Sequence, residues 1–215
     1  YAAAYAGLAE VAYWMRDDLP AALDLLARAE AHGYDTQRAR YQRGYALYRL
    51  GRFSESLEQF YRAGLLGESS PYLSFAFGCA LYARADYHAA EGYFRRVVEA
   101  MELELERLDL PDPQGKATHG EIVELLMLAQ NNLGASLYRV GNRLGNPAIR
   151  SKAMAGFAES ARLFDAMERD QSTMARPEAK NLGFLNMDYV LHPQRGIDLA
   201  VYGAIERDMR FPKQR

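Results

Sequence analysis

The chain has 215 residues, with 26 Lys and Arg against 28 Asp and Glu for a formal net charge of −2; 49% of it is hydrophobic and 25% charged. That apolar share argues against extended disorder, because enough surface can be buried to offset the entropy of ordering. The near-neutral charge supplies no broad field for nucleic acid or an anionic membrane, and the one cysteine, Cys79, excludes an intramolecular disulfide, a Cys-rich zinc site and a CxxC redox pair.

No apolar run approaches the roughly 20 residues that span a bilayer. The start, Tyr1-Ala2-Ala3-Ala4, has no initiator Met and no basic segment, and reads as a processed chain or a piece of a longer one. The compartment is not encoded. Long stretches rich in Ala, Leu, Arg and Glu, with sparse Val, Ile and Thr, predict helix nearly throughout.

The first predicted unit, about residues 3–36, is a helix ending near Trp14, a turn at Asp17-Asp18 before Pro20, and a second helix carrying Ala22, Leu26 and Ala29. The second, about 37–70, repeats it: Gly44, Ala46, Leu47 and Tyr48, a turn at Gly51-Arg52, then Phe53, Ser56, Phe60 and Ala63. The third, about 71–98, has Gly78, Ala80, Leu81 and Tyr82, a turn at Ala85-Asp86, then Tyr87, Ala90 and Phe94. Corresponding residues are 34 apart, and self-similarity at a fixed period of this size is the signature of a repeat architecture. The small residues on each pair of helices permit close approach, and Leu26, Phe60 and Phe94 fill the space between units.

The register then breaks over an insertion at 99–118. Residues 89–108 predict an overlong second helix, Pro111, Pro113 and Gly115 a loop, and Thr118-His119-Gly120-Glu121 a capping box that restarts a helix from about His119 to Val140. Met101, Leu105 and Leu108 share one face of that overlong helix. It is expected either to dock another protein or another copy, or to fold back on its own repeat. A fourth unit, 119–170, carries Asn132-Leu133-Gly134, Tyr138 and, after a loop at 142–147, Ala153 and Phe157. A degenerate fifth unit or cap covers 176–207, with helices from about Asn181 and from Gly196 to Arg207 around a turn at 192–196.

The motif Gly44-x-Ala46-Leu47-Tyr48-x-x-Gly51-x-Phe53-x-x-Ser56-x-x-x-Phe60-x-x-Ala63 and its copy from Gly78 to Phe94 resemble the tetratricopeptide repeat (TPR) family. The first unit departs from the pattern with Glu10 at the glycine position. The resemblance implies an all-α, TPR-like right-handed superhelix of stacked helix hairpins with an inserted long helix and loop, as a single domain over residues 1–215. It implies a non-catalytic protein–protein interaction scaffold that binds a partner peptide or protein in an aromatic-lined concave groove. Carried over by register, the partner-binding residues are Trp14, Tyr41, Tyr45, Tyr48, Arg49, Tyr72, Phe75, Tyr82, Asn131, Tyr138 and Arg139, with Arg38 and Cys79 on the same face. The Lys/Asn clamp by which some family members grip a carboxylate is not recognisable in the first three units, where Gly7, Val11, Tyr45, Tyr72 and Ala76 stand; Asn131 and Asn132 resemble it in the fourth. The alternative is a structural subunit of a larger cell-envelope, secretion or motor assembly that uses outer faces and the 99–118 insertion, with self-association through that insertion.

No nucleophile elbow, P-loop or dinucleotide fingerprint is present. His32, His88, His119 and His192 form no i, i+4 pair, and Glu102, Glu104, Glu106 and Asp109 read as a solvated charge run. No catalytic residue, cofactor or metal site is expected, and neither nucleic acid nor membrane insertion.

Overall fold

A hairpin turn must reverse the chain within a few residues, and in four of the described turns the backbone does this with one left-handed residue. Asp17, Gly51 and Ala85 have φ of 52°, 74° and 62°, repeating at the 34-residue period, and Gly145 has φ 60° in the later turn. The next residue closes the turn: the Arg52 N–H donates to the Leu47 carbonyl at 2.9 Å, and the Asn146 N–H to the Gly141 carbonyl at 2.8 Å. Only glycine adopts this conformation without a Cβ penalty.

The computed structural model describes residues 1–67, 70–108, 115–169, 181–192 and 199–203, and these residues form nine α-helices and no strand. They fall into two compact units, Tyr1–Arg84 and Ala85–Gly203. The first comprises α1 (Ala2–Met15), α2 (Leu19–Ala31), α3 (Gln37–Arg49), α4 (Phe53–Leu65) and α5 (Pro71–Ala83). The second comprises α6 (Tyr87–Leu108), α7 (Gly115–Arg143), α8 (Pro147–Arg169) and α9 (Leu182–Leu191), followed by the non-helical segment Leu199–Gly203. The loop at 109–114, the approach to α9 at 170–180, the turn at 193–198 and residues 204–207 of the last expected helix lie outside the described residues.

Short polar side chains start the helices. Asp18 accepts from the Ala21 N–H at 3.0 Å, Thr36 from Ala39 at 3.1 Å, Asn146 from Ala148 at 3.0 Å and Asn181 from Phe184 at 3.0 Å, each satisfying a first-turn donor. Pro71 and Pro147 open α5 and α8, where no amide hydrogen is needed.

In unit 1, α1 packs on α2, α3 on α4, and α4 on α5. The small residues Ala22, Ser56 and the large residues Leu26, Phe60 that the period aligns are all buried. A Cβ on Gly44 would lie 2.6 Å from the Phe60 ring, so this ring seats on bare backbone of α3. The Ser56 hydroxyl donates to the Gly44 carbonyl at 2.7 Å beside it. In unit 2, Ala90, Phe94, Ala153 and Phe157 are fully buried, and Gly134 receives Phe157 as Gly44 receives Phe60, at 2.8 Å from its would-be Cβ.

Three boundaries differ from the sequence expectation. Helix α7 begins at Gly115, three residues before the capping box, and runs to Arg143; α8 begins at Pro147, the last residue expected in the loop. A capping box contributes about 1 kcal/mol, less than the packing of a 29-residue helix whose Ile122, Val123, Leu125, Leu126, Met127 and Leu128 are buried. Residues 199–203 are not the helix expected from Gly196 to Arg207. Within α6, Met101 is buried and Leu105 half-buried, while Leu103 on the other side is exposed.

A charged cluster ties unit 1 together. The Arg40 side chain is only 7% exposed; it makes a two-pronged contact with Asp35 at 2.6 and 2.9 Å and also donates to Glu30 and to Gln59 at 3.0 Å. The hydrogen bond from Arg40 holds the Asp35 carboxyl below its ordinary value against the opposing effect of burial, with the nearby Arg40 and Arg62 charges adding to it. A carboxylate more acidic in the folded than in the unfolded chain stabilises the fold above its unfolded titration range and loses that contribution as pH falls through its folded value. Urea unfolding across acid pH is therefore expected to show a shallower loss of stability for Asp35→Asn than for the wild type. At the turn, Ala85→Gly is expected to raise the unfolding free energy by about 0.5 kcal/mol, read as a higher urea midpoint, the left-handed strain relieved being larger than glycine's added chain entropy.

Candidate functional site

Trp14, Tyr48 and Tyr82 occupy matching places near the ends of α1, α3 and α5, 34 residues apart. Trp14 is 45% exposed, and Tyr48 and Tyr82 are half-buried. Behind them the rings form a continuous packed set. Trp14 meets Tyr13 edge-on at 4.8 Å, Tyr13 meets Tyr45 at 6.3 Å, Tyr45 meets Tyr48 at 6.2 Å and Tyr41 at 6.5 Å, and Tyr41 meets Phe60 at 5.5 Å. Such ring pairs prefer these offset and edge-on arrangements.

The residues expected to meet a partner thus divide by depth. Tyr41, Tyr45, Phe75, Cys79 and Asn131 are buried, whereas Tyr48, Tyr72, Tyr82, Tyr138 and Arg139 are half-buried and Trp14 exposed. Arg49 pairs with Asp17 at 2.8 Å and lies over the Tyr13 ring, Arg38 pairs with Glu10 at 2.6 Å, and Arg139 lies over the Tyr87 ring at 5.8 Å. Tyr138 meets Tyr189 of α9 edge-on at 6.4 Å.

A second constellation lies wholly in unit 2. Close approach of α9 to α8 creates it: a Cβ on Gly183 would fall 2.5 Å from the Phe157 carbonyl oxygen, so no larger residue lets the two backbones meet this way. That contact places Asn186 of α9 against Asn131 and Asn132 of α7, and all three are at most 1% exposed. The Asn186 Nδ2 donates to Asn131 Oδ1 at 2.9 Å, and the Asn131 Nδ2 to Asn132 Oδ1 at 3.2 Å.

The remaining amide capacity goes to the main chain of Leu199–Gly203. Asn186 accepts the Ala200 N–H at 2.8 Å and donates to the Ala200 carbonyl at 2.7 Å. Asn132 does the same for Tyr202, at 2.9 and 2.8 Å, and Asn131 adds a bond to the Ala200 carbonyl at 3.1 Å. Both groups of alternate residues facing one way is the geometry of an extended chain. The side-chain amides act as the edge of a β-ladder would. Leu199 is buried, and the Tyr202 hydroxyl accepts the Leu182 N–H at the start of α9 at 3.3 Å. Burial pushes the Tyr202 phenol above its ordinary value, partly offset by that N–H, so it stays neutral at neutral pH.

Of this cradle, the sequence pointed to Asn131 as a partner-binding residue and to Asn131 and Asn132 as clamp-like, and did not single out Asn186 or Tyr202. The signal was there: a carboxamide in the apolar run of α9 is buried only if its donors and acceptors are met.

Unit 2 also has a cavity of about 530 Å³, with Leu137, Val140 and Ile149 in its wall and Arg95, Arg143 and Lys152 among its charged residues. Among the described residues no group of three or more His, Cys, Asp or Glu is placed to hold a metal ion, and no helix is long and apolar enough to cross a membrane. Comparison with protein-family models and with curated proteins returns no match to the chain.

Replacing Asn186 by Leu removes the acceptor of the Ala200 N–H and one of the two donors to the Ala200 carbonyl, and it takes the Asn186 donor from Asn131 Oδ1. Asn186→Leu is expected to lower the stability of unit 2 by about 2–3 kcal/mol, as judged from losing buried hydrogen-bond partners, measured as a lower urea midpoint.

Proposed function

We propose that this chain is a non-catalytic protein–protein interaction scaffold of the TPR type, which receives a partner peptide or protein on its aromatic first-helix face. The observation that carries the reading is the register of Trp14, Tyr48 and Tyr82, one partly exposed ring per 34-residue step in unit 1. Rings give large contact area with few rotatable bonds, and a phenol can bond a passing main chain. The set of rings behind them keeps the exposed ones in place before a partner arrives, which reduces the entropy lost on binding. Tyr72 extends the accessible set within unit 1, and Tyr41, Tyr45 and Phe75 support it from within; Tyr138 and Arg139 are half-buried in unit 2 and are not counted with it.

Capture from native extract with mass-spectrometric identification tests this. The double substitution Tyr48→Ala plus Tyr82→Ala is expected to weaken the captured partner at least tenfold, about 1.4 kcal/mol, with helicity by circular dichroism retained. Unchanged affinity in a folded double variant rules the reading out. A second reading, a structural subunit of a larger assembly, is favoured by α6 and α7, which have 22 and 29 residues where α3, α4 and α5 have 13. A partner that survives the ring substitutions but is lost on deletion of residues 101–115 selects it.

A further inference from the structure

Five hydrogen bonds hold Leu199–Gly203 to Asn131, Asn132 and Asn186, and all five go to its main chain, none to its side chains. Such bonds are indifferent to which residues stand at positions 200 and 202, proline excepted at either, since both amide hydrogens are used. What the site reads of the sequence is limited to two features. One is the apolar side chain at 199, which is buried. The other is the phenol at 202, whose oxygen takes an amide hydrogen that the first turn of α9 leaves without a helical partner.

What anchors the segment is mainly its main chain. Leu199 is its one buried residue; Ala200, Val201 and Tyr202 are half-buried and Gly203 is exposed. Segments with few buried apolar side chains open at lower free energy than the helices around them. The cradle, in contrast, is expensive to leave empty. Its three carboxamides are buried and are satisfied by one another and by this segment, so removing it without replacement incurs desolvation of the groups that met it. An occupant held by main-chain bonds, which another extended segment can repeat, favours exchange of like for like.

We propose that Asn131, Asn132 and Asn186 form a peptide-binding cradle that reads extended main chain, that Leu199–Gly203 is its tethered occupant, and that a peptide with an apolar residue three positions before a tyrosine takes the same place in trans. This goes beyond the ring-face reading and is carried by the geometry of unit 2 alone. It gives the protein a second polypeptide site in unit 2, self-occupied until a competing segment displaces the tether.

The probe is the peptide Leu-Ala-Val-Tyr-Gly, acetylated, amidated and dye-labelled through a Gly-Ser spacer, titrated by fluorescence anisotropy onto the full chain. Tyr202→Pro removes the N–H that Asn132 accepts and the phenol together, and so weakens the tether alone. This variant is expected to bind the probe at least tenfold tighter than the wild type, and adding Asn132→Ala to it to abolish that gain. A probe with proline in place of tyrosine is expected not to bind. If the Tyr202→Pro chain keeps its helicity and binds the probe no better than the wild type, the proposal is overturned. Hydrogen exchange on the unmodified chain covers the case in which the variant does not fold. The Ala200 and Tyr202 amides are expected to exchange at least tenfold faster than those of Leu126 and Ser160; exchange at the same rate makes the segment an integral part of unit 2 and overturns the proposal. Concentration-dependent dimerisation that blocks the probe assigns the cradle to a second copy and also overturns it. Because the ring row is tested through Tyr48 and Tyr82 in the other unit, failure here leaves that result standing, and failure there leaves this one.

Discussion

The structure depends on bringing helix backbones close enough for a large side chain to lie on bare main chain. Phe60 does so on Gly44, Phe157 on Gly134, and the α8 backbone itself against Gly183. Each contact couples a residue with no side chain on one helix to a bulky or flat partner on the next. Added methylenes at such points force backbone apart instead of filling a gap. The left-handed residue recurs at the 34-residue period, at Asp17, Gly51 and Ala85. Asp17 holds that conformation despite its Cβ in the turn between α1 and α2, which pack on each other.

Two buried polar systems sit on this apolar frame, and they do different work. Arg40 brings Glu30, Asp35 and Gln59 together in unit 1, from three helices and a loop. Its carboxylate partners remain partly in water, so the cluster orients the connection between α2 and α3 at modest desolvation cost. The asparagine cradle is neutral and fully buried. Its geometry is set by directional bonds, and a neutral amide can serve as donor and acceptor to one peptide unit at once. That is why it can hold an extended main chain where a charged pair would not.

The rings of unit 1 are graded in depth, with a packed layer beneath a partly exposed one. In the proposed scaffold role a partner would meet rings held by ring-on-ring contacts within the same unit. In unit 2 the asparagines already hold extended main chain, that of Leu199–Gly203.

Much of the frame was legible from residues alone. Helix content, the turns at Asp17, Gly51 and Ala85, and the burial of Ala22, Ser56, Ala90, Phe60 and Phe94 follow from spacing and size, since each acts within one 34-residue step. Helix starts were less legible: Gly115 begins α7 before its capping box, because packing of a long apolar stripe outweighs a cap, and Pro147, read as the end of a loop, is the first residue of α8 behind the Asn146 cap. Which aromatic rings are sunk and which are partly exposed was not legible either, as Tyr41 and Tyr48 differ by less than two turns of the same helix. The sequence by itself determined that hairpins form and how their small and large residues alternate, through steric rules that operate between neighbours in the chain. Only the tertiary structure decided what the asparagines do, because Asn131 and Asn186 stand 55 residues apart and the main chain they hold lies 69 residues beyond Asn131. A hydrogen bond has no sequence period, and its partners are known only once the helices have met.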